Sequence, residues 1–247
     1  MLDRFLRIIL MILIFPSAAG AAEVVKLYDY HRFPPFLTDQ GRGLTRDFAE
    51  YLSKLSGGAY SVQVEILPRN RFNIAIAEEK GPFLSPWLMP DWLGDAGMTK
   101  YQWGNVLMHD SDDLLSPASD PFDYSGPESL VGKTLGIVLG YQYPIIDQYL
   151  NSGKIERVSL GEEEQIVMMI AFERMKVGLI PGTAARYYSS LAKFQGLIHI
   201  SARPLYTYDR RVLMQGDAAW LKFLRQAVDN APRDPNWQVV LRHYGLS

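Results

Sequence analysis

The sequence has no cysteine. Thiol nucleophiles, thiolate metal sites and disulfide staples are all excluded. A chain of this length can dispense with staples, because it buries enough surface on folding to hold its own core. Histidine is scarce: the four, at 31, 109, 199 and 243, lie far apart and in no metal-ligand spacing. Basic blocks are missing, and 25 Lys and Arg against 27 Asp and Glu leave a net charge of −2, so nucleic acid is not an expected partner. The signatures G-x-S-x-G, H-E-x-x-H and G-x-G-x-x-G do not occur. The acidic run Asp110, Asp112, Asp113 lacks the glycine and distal glutamate of an EF-hand loop and reads as a solvated hinge. These absences remove the common nucleophile, metal and dinucleotide routes. No cofactor, metal or catalytic residue is assigned.

What is present begins with a leader. Asp3, Arg4 and Arg7 precede an apolar run over 8–15, Pro16 breaks it, and small residues fill 17–22. Basic, then apolar, then small is the order of a secretory signal peptide, cleaved after Ala21 or Ala22, with the mature chain in the periplasm. The apolar run is too short to span a bilayer comfortably. Without Arg4, Arg7 and Asp3, 23 basic and 26 acidic side chains remain, a net of −3. The mature ~225 residues fit one large domain or two modest ones.

Along that chain, strand and helix patterns alternate. Residues 24–30 (VVKLYDY) read as a buried strand, and 31–43 as a loop punctuated by proline and glycine. Leu44, Phe48, Leu52 and Leu55 recur at helical spacing. Residues 60–67 alternate as a strand, Pro68-Arg69 open a short helix, and 83–85 form a third strand followed by an aromatic loop, PWLMPDWLGD. After 109–113 the pattern restarts: a strand at TLGIVLG, a helix over 144–150, and a capping-box spacing of Ser159 and Glu162 for a helix running to Arg174. A strand over 177–180 and a helix over 183–194 follow. Asp217 caps a helix, and Asp234-Pro235 open the last one, which Gly245 ends. The class is α/β with mainly parallel sheets.

Aromatic residues crowd the loops: Phe33, Phe36, Trp87, Trp92, Trp103, Tyr141 and Tyr143 all fall at or beyond the ends of expected strands, where open α/β sheets bind ligands. Trp92 and Trp103 are expected to pack, and Phe33, Trp87, Tyr141 and Tyr143 to meet a ligand. His31, in the same aromatic loop, is more often a polar loop side chain than part of a site.

Four segments together resemble the periplasmic solute-binding proteins of family 3, the amino-acid receptors of ABC importers. They are PPF at 34–36 followed by GLTRDFAEYLSKL, then MTKYQWGNVLM, SLVGKTLGIVLGYQYP, and IVMMIAFERMKVGLIPGTAARYY. The resemblance implies two α/β lobes joined by two crossovers, closing over a ligand by a hinge motion. Lobe one would be 23–108 plus 210–247, and lobe two 109–209. Amino-acid binders of that family grip the ligand with an arginine and an acidic residue. The corresponding positions here hold Gln102 and the vicinity of Pro181, so both charges are gone.

The candidate ligand residues are Phe33, Arg69, Ser85, Trp87, Gln102, Tyr141, Gln142, Tyr143, Gly182 and Thr183. Main-chain N–H groups at the helix start after Gln142 would bind a carbonyl or carboxylate. The tyrosines, with Phe33 and Trp87 opposite, imply a planar or apolar ligand with few charges. The resemblance implies a monomeric receptor for a small organic solute, whose partner is an ABC permease or a membrane signalling receptor. The alternatives are a lyase similar to cyclohexadienyl dehydratases, with Asp29, Asp91 or Asp95 as its acid group, and an orphan sensor or interaction protein.

Overall fold

Local patterning accounts for the outer elements. The computed structural model describes residues 21–38 and 41–246. The expected signal peptide therefore lies almost wholly outside the described residues. β1 (Glu23–Asp29) buries Val25 and Leu27 completely. α1 (Leu44–Leu55) buries Leu44, Phe48 and Leu52, the stripe spaced by fours. Gly43 precedes it at φ 130, and a Cβ there would lie 2.3 Å from the Phe36 carbonyl oxygen. Only glycine lets the loop fold back on the helix so closely. β2 (Tyr60–Ile66), α2 (Arg69–Glu78) and β3 (Phe83–Leu88) complete the first stretch.

The second stretch holds β4 (Gln102–Pro117), β5 (Thr134–Val138), α3 (Asp147–Asn151), β6 (Glu156–Leu160), α4 (Glu163–Ala171), β7 (Val177–Pro181), α5 (Gly182–Ser190) and β8 (Ile198–Ile200). β9 (Tyr206–Gln215), α6 (Ala218–Asn230) and α7 (Pro235–His243) then return to the first lobe. Asp217 accepts from the Trp220 N–H and Asp234 from the Asn236 N–H, as their cap positions require.

The strands lie in the order β2-β1-β3-β9-β4-β7-β5-β6, with β8 beside β4. The outer pairs β1–β2, β1–β3, β5–β6 and β5–β7 are parallel, and the helices between them cover the sheet. The shared centre, β3–β9–β4–β7, is antiparallel. β3 pairs with β9 from Arg211 onward, and β7 meets β4 from Asp112 onward. Between those limits, among the described residues, 108–111 pair only with 207–210. Two lobes are thus joined by a two-stranded neck.

The first lobe packs on aromatic rings. Trp87 and Trp237 stack at 6.3 Å, with Phe48 within 5.3 Å of both. No helix among the described residues is long and apolar enough to cross a membrane.

Several local expectations need correction. Residues 109–113 are not a solvated break: they lie inside the 16-residue β4, with Asp110, Ser111, Asp112 and Asp113 buried. The expected helix over 144–150 is three residues of turn and the five-residue α3. That helix is too short and begins too late to aim a dipole at residues 141–143. Ser159 caps no helix, because it pairs with Ile137 in the sheet. α4 starts instead after Glu162 and ends at Ala171 rather than Arg174. The third strand extends through Leu88, and Trp87 inside it is wholly buried rather than ligand-facing.

Candidate functional site

Alternation along the neck sorts its side chains. Asp110 and Asp112 of β4 pair with Tyr208 and Tyr206 of β9, and Met108 with Arg210, so these share one face. His109 and Ser111, opposite Asp209 and Thr207, take the other.

Arg210 organises the first face. It is 1% exposed, with Phe36, Trp92 and Tyr208 rings 4.9–5.2 Å from its guanidinium carbon. Its Nε donates to Asp110 Oδ2 at 2.7 Å, its Nη1 to the Trp87 carbonyl at 2.8 Å and to His31 Nε2 at 3.1 Å, and its Nη2 to the Tyr208 hydroxyl at 3.1 Å. Taking a guanidinium out of water is costly, and this fan of acceptors offsets it. Trp87 contributes through strain. It sits at φ 66, where bulky residues are rare, beside a register break between Ser85 and Leu88. Its carbonyl meets Arg210 while its indole N–H donates to Thr45 Oγ1 at 3.0 Å.

Because His31 Nε2 accepts from Arg210, its proton is on Nδ1, which donates to Asp29 Oδ1 at 2.7 Å. Burial pulls the imidazole below its ordinary pKa against the pull of Asp29, so it is neutral. Asp29 is fully engaged, accepting also from the Tyr30 and His31 N–H groups and the Thr45 hydroxyl. Asp110 accepts from Thr183 N–H and Oγ1 at 2.9 and 3.0 Å and from Arg186 Nη2 at 3.4 Å. It thereby ties the first turn of α5 to the neck. Gly182 permits the approach: a Cβ there would lie 2.4 Å from Ser111 Oγ.

Asp112 and Glu163 are buried carboxyl groups of the second lobe with no basic partner in hydrogen-bond contact; Asp113, also buried, has Arg186 at 3.8 Å. Burial, and then the neighbouring Asp110 charge, push Asp112 up to about 7, with the Tyr206 hydroxyl and Arg210 opposing. Glu163, 3% exposed at the start of α4, accepts from the Tyr141 hydroxyl at 2.9 Å, and burial raises its pKa. Tyr143 is 2% exposed and its hydroxyl has no partner.

Two cavities draw on both lobes. One, of about 610 Å³, lies between the 89–98 loop, the second face of the neck and Arg186. The other, of about 340 Å³, lies between residues of 32–38 with Gly41 on one side and Glu162, Glu163, Glu164 and Tyr188 on the other. Among the described residues no group of three His, Asp or Glu could hold a metal ion.

The ten candidates from sequence divide as follows. Phe33 lines the smaller cavity and packs edge-on to Phe36 at 5.4 Å. Tyr141 is 38% exposed and linked to Glu163, which lines the same cavity. Tyr143 is interior, and Gln142 is exposed. Gly182 and Thr183 bind the neck. Arg69 lies over the Tyr30 ring at 4.3 Å and donates to the Trp92 carbonyl, not to a cavity. Ser85 is buried with its hydroxyl unpartnered. Trp87 is core. Gln102 is exposed and accepts from Arg225 of α6 at 3.4 Å, away from the cluster. Sequence reasoning missed Arg210, Asp112 and Glu163. A lone charge in a strand or at a helix start carries no sign of burial until its partners are known.

No family model matches the chain, and no curated protein matches it in sequence. Solved structures do match in fold. An ancestral arginine-binding protein bound to arginine superposes with TM-score 0.65 at 11% identity, covering 91% of this chain and 99% of the other. The GluR0 ligand-binding core from Nostoc punctiforme, in complex with (L)-glutamate, gives TM-score 0.65 at 13% identity, covering 91% and 100%. An ancestral amino-acid-binding protein described as a precursor of cyclohexadienyl dehydratase gives 0.62 at 12% identity, covering 90% and 95%. The chain shares the two-lobed fold of these structures over about nine-tenths of its length.

Proposed function

We propose that this protein is a periplasmic receptor that captures a small organic solute between its lobes. The lobes run over 23–108 plus 210–247 and over 109–209. The membrane partner is a permease or a signalling receptor that reads the closed state. The observation carrying the reading is the cavity of about 340 Å³ walled by a first-lobe loop on one side and the α4 start on the other. That volume is at the low end of the ~300–1,000 Å³ typical of small-molecule sites. Lobe closure would build such a site and lobe opening would dismantle it.

Standard α-amino acids are not its ligands. The charged anchor is Gln102, exposed beside Arg225, and the interior arginine, Arg210, already spends every nitrogen within the protein. Of the acids named for the lyase alternative, Asp29 is consumed as above, and Asp95 accepts from three main-chain N–H groups and the Trp103 indole. That leaves Asp91, exposed on the lining of the larger cavity, to carry it.

The test is thermal unfolding with a library of small solutes. A true ligand at a hundred times its Kd adds about 2.7 kcal/mol. For a domain of this size that raises Tm by roughly 5–10 °C. Arginine, glutamate and glutamine at millimolar concentration are expected to raise it by less than about 1 °C. A shift of several degrees with any of the three overturns the exclusion. A library that stabilises nothing, with lobes unmoved in solution scattering, overturns the receptor reading itself.

A further inference from the structure

The acidic wall of the smaller cavity specifies more than its size. Glu163, 97% shielded from solvent, has a carboxyl group that accepts from the Tyr141 hydroxyl and from its own main-chain N–H. A carboxylate has about four acceptor sites, so about half of its capacity is unspent. Two residues beyond Tyr141, the Tyr143 hydroxyl is buried with no partner and close enough to Glu163 to feel its charge. Phe33 and Tyr188 add ring surface to the lining. A partly spent acid sharing a cavity wall with aromatic rings is the chemistry that recognises an organic ammonium group.

We infer that the cavity between residues 32–38 and the start of α4 takes an organic monocation, an amine or quaternary ammonium with an apolar body, and that Glu163 is its counter-ion. This rests on the receptor reading and names the ligand class. It narrows the sequence-based expectation of a planar or apolar ligand with few charges: the charge is single and positive.

The surroundings of Glu163 fix the sign of its pH dependence. The groups that face it are the Tyr141 and Tyr143 hydroxyls, Glu162 beside it on the same turn, Glu164, which is paired with Lys193 at 2.7 Å, and Arg32 on the opposite rim, exposed to solvent. Burial raises the pKa of this carboxyl above its ordinary value. A bound cation favours the ionised form and lowers that pKa, so binding releases protons wherever the free group is still partly protonated. Affinity accordingly rises with pH through the carboxyl's titration.

The experiment pairs cations with neutral molecules of the same shape: choline with 3,3-dimethylbutan-1-ol, benzylammonium with benzyl alcohol, and butylammonium with butan-1-ol. Titration calorimetry on the mature chain, in two buffers of different ionisation enthalpy, reads both affinity and proton release. At least one cation is expected to bind ten-fold or more tighter than its neutral counterpart, with proton release. The Glu163→Gln variant keeps an acceptor for Tyr141, and it should lose ten- to a hundred-fold in that affinity together with the proton release. Equal binding of a cation and its neutral partner, or no cation bound while neutral library solutes do bind, overturns the inference and leaves the receptor reading standing. A cation bound equally well by Glu163→Gln overturns the site. The preference for a cation over its neutral partner, read on the unaltered chain, decides the matter even if the variant misfolds.

Discussion

Replacing Asp112 by asparagine should make the protein more stable, and increasingly so as pH rises. Asp112 is buried on the neck opposite Tyr206, and its carboxyl titrates at about 7 instead of 3.8. The folded state therefore holds a proton that the unfolded state gives up much earlier. Wild-type stability is undiminished below the unfolded value and declines as pH rises, until the folded group also ionises near 7. At about 1.36 kcal/mol per tenfold difference in proton affinity, the gap amounts to about 4 kcal/mol by pH 8. Asparagine cannot ionise, yet it offers the Tyr206 hydroxyl the same acceptor. Urea unfolding of both proteins at several values between pH 4 and 8 gives the comparison. The curves should nearly meet near pH 4 and diverge to several kcal/mol in favour of Asp112→Asn near pH 8. Parallel curves, or a variant less stable throughout, would mean that the desolvation argument for this carboxyl is wrong.

Other substitutions probe the packing around the neck. Arg210→Met leaves Asp110 buried against a neutral side chain and should cost about 3–5 kcal/mol in urea unfolding, much of it recovered by adding Asp110→Asn. Trp87→Ala removes a wholly buried indole and its bond to Thr45, and should cost about 3–5 kcal/mol, which a ligand-facing ring would not. Tyr141→Phe deletes one hydroxyl from a half-open position and should change stability by at most about 1 kcal/mol, while near-ultraviolet circular dichroism stays that of the wild type.

The outer elements were legible because each declares itself locally. α1 shows its stripe at Leu44, Phe48 and Leu52, and α6 and α7 show their aspartate caps. The neck was not legible. Asp110, Asp112 and Asp113 read as a solvated run because a charge is presumed wet until a partner is visible, and Arg210 is 100 residues away in sequence. Trp87 read as a loop residue because Pro86 precedes it. Its left-handed backbone and the register break beside it are tertiary choices, made where the strand meets Arg210. Glu163 looked like one of three acids at a helix start, and only the approach of Tyr141 separates it from its neighbours. The aromatic loop residues were rightly singled out as unusual, but alternation alone could not say which rings would pack inward.

The neck between 108–111 and 207–210 is a ribbon one peptide layer thick. Such a strip flexes readily across its thin direction and resists shear within its plane, like a leaf spring. In the proposed receptor, travel of the jaws would be confined to a single arc, with Arg210 and Asp110 riding at its pivot. A clamp at the pivot moves least when the jaws swing most. This buried pair sits where opening and closing would disturb it least.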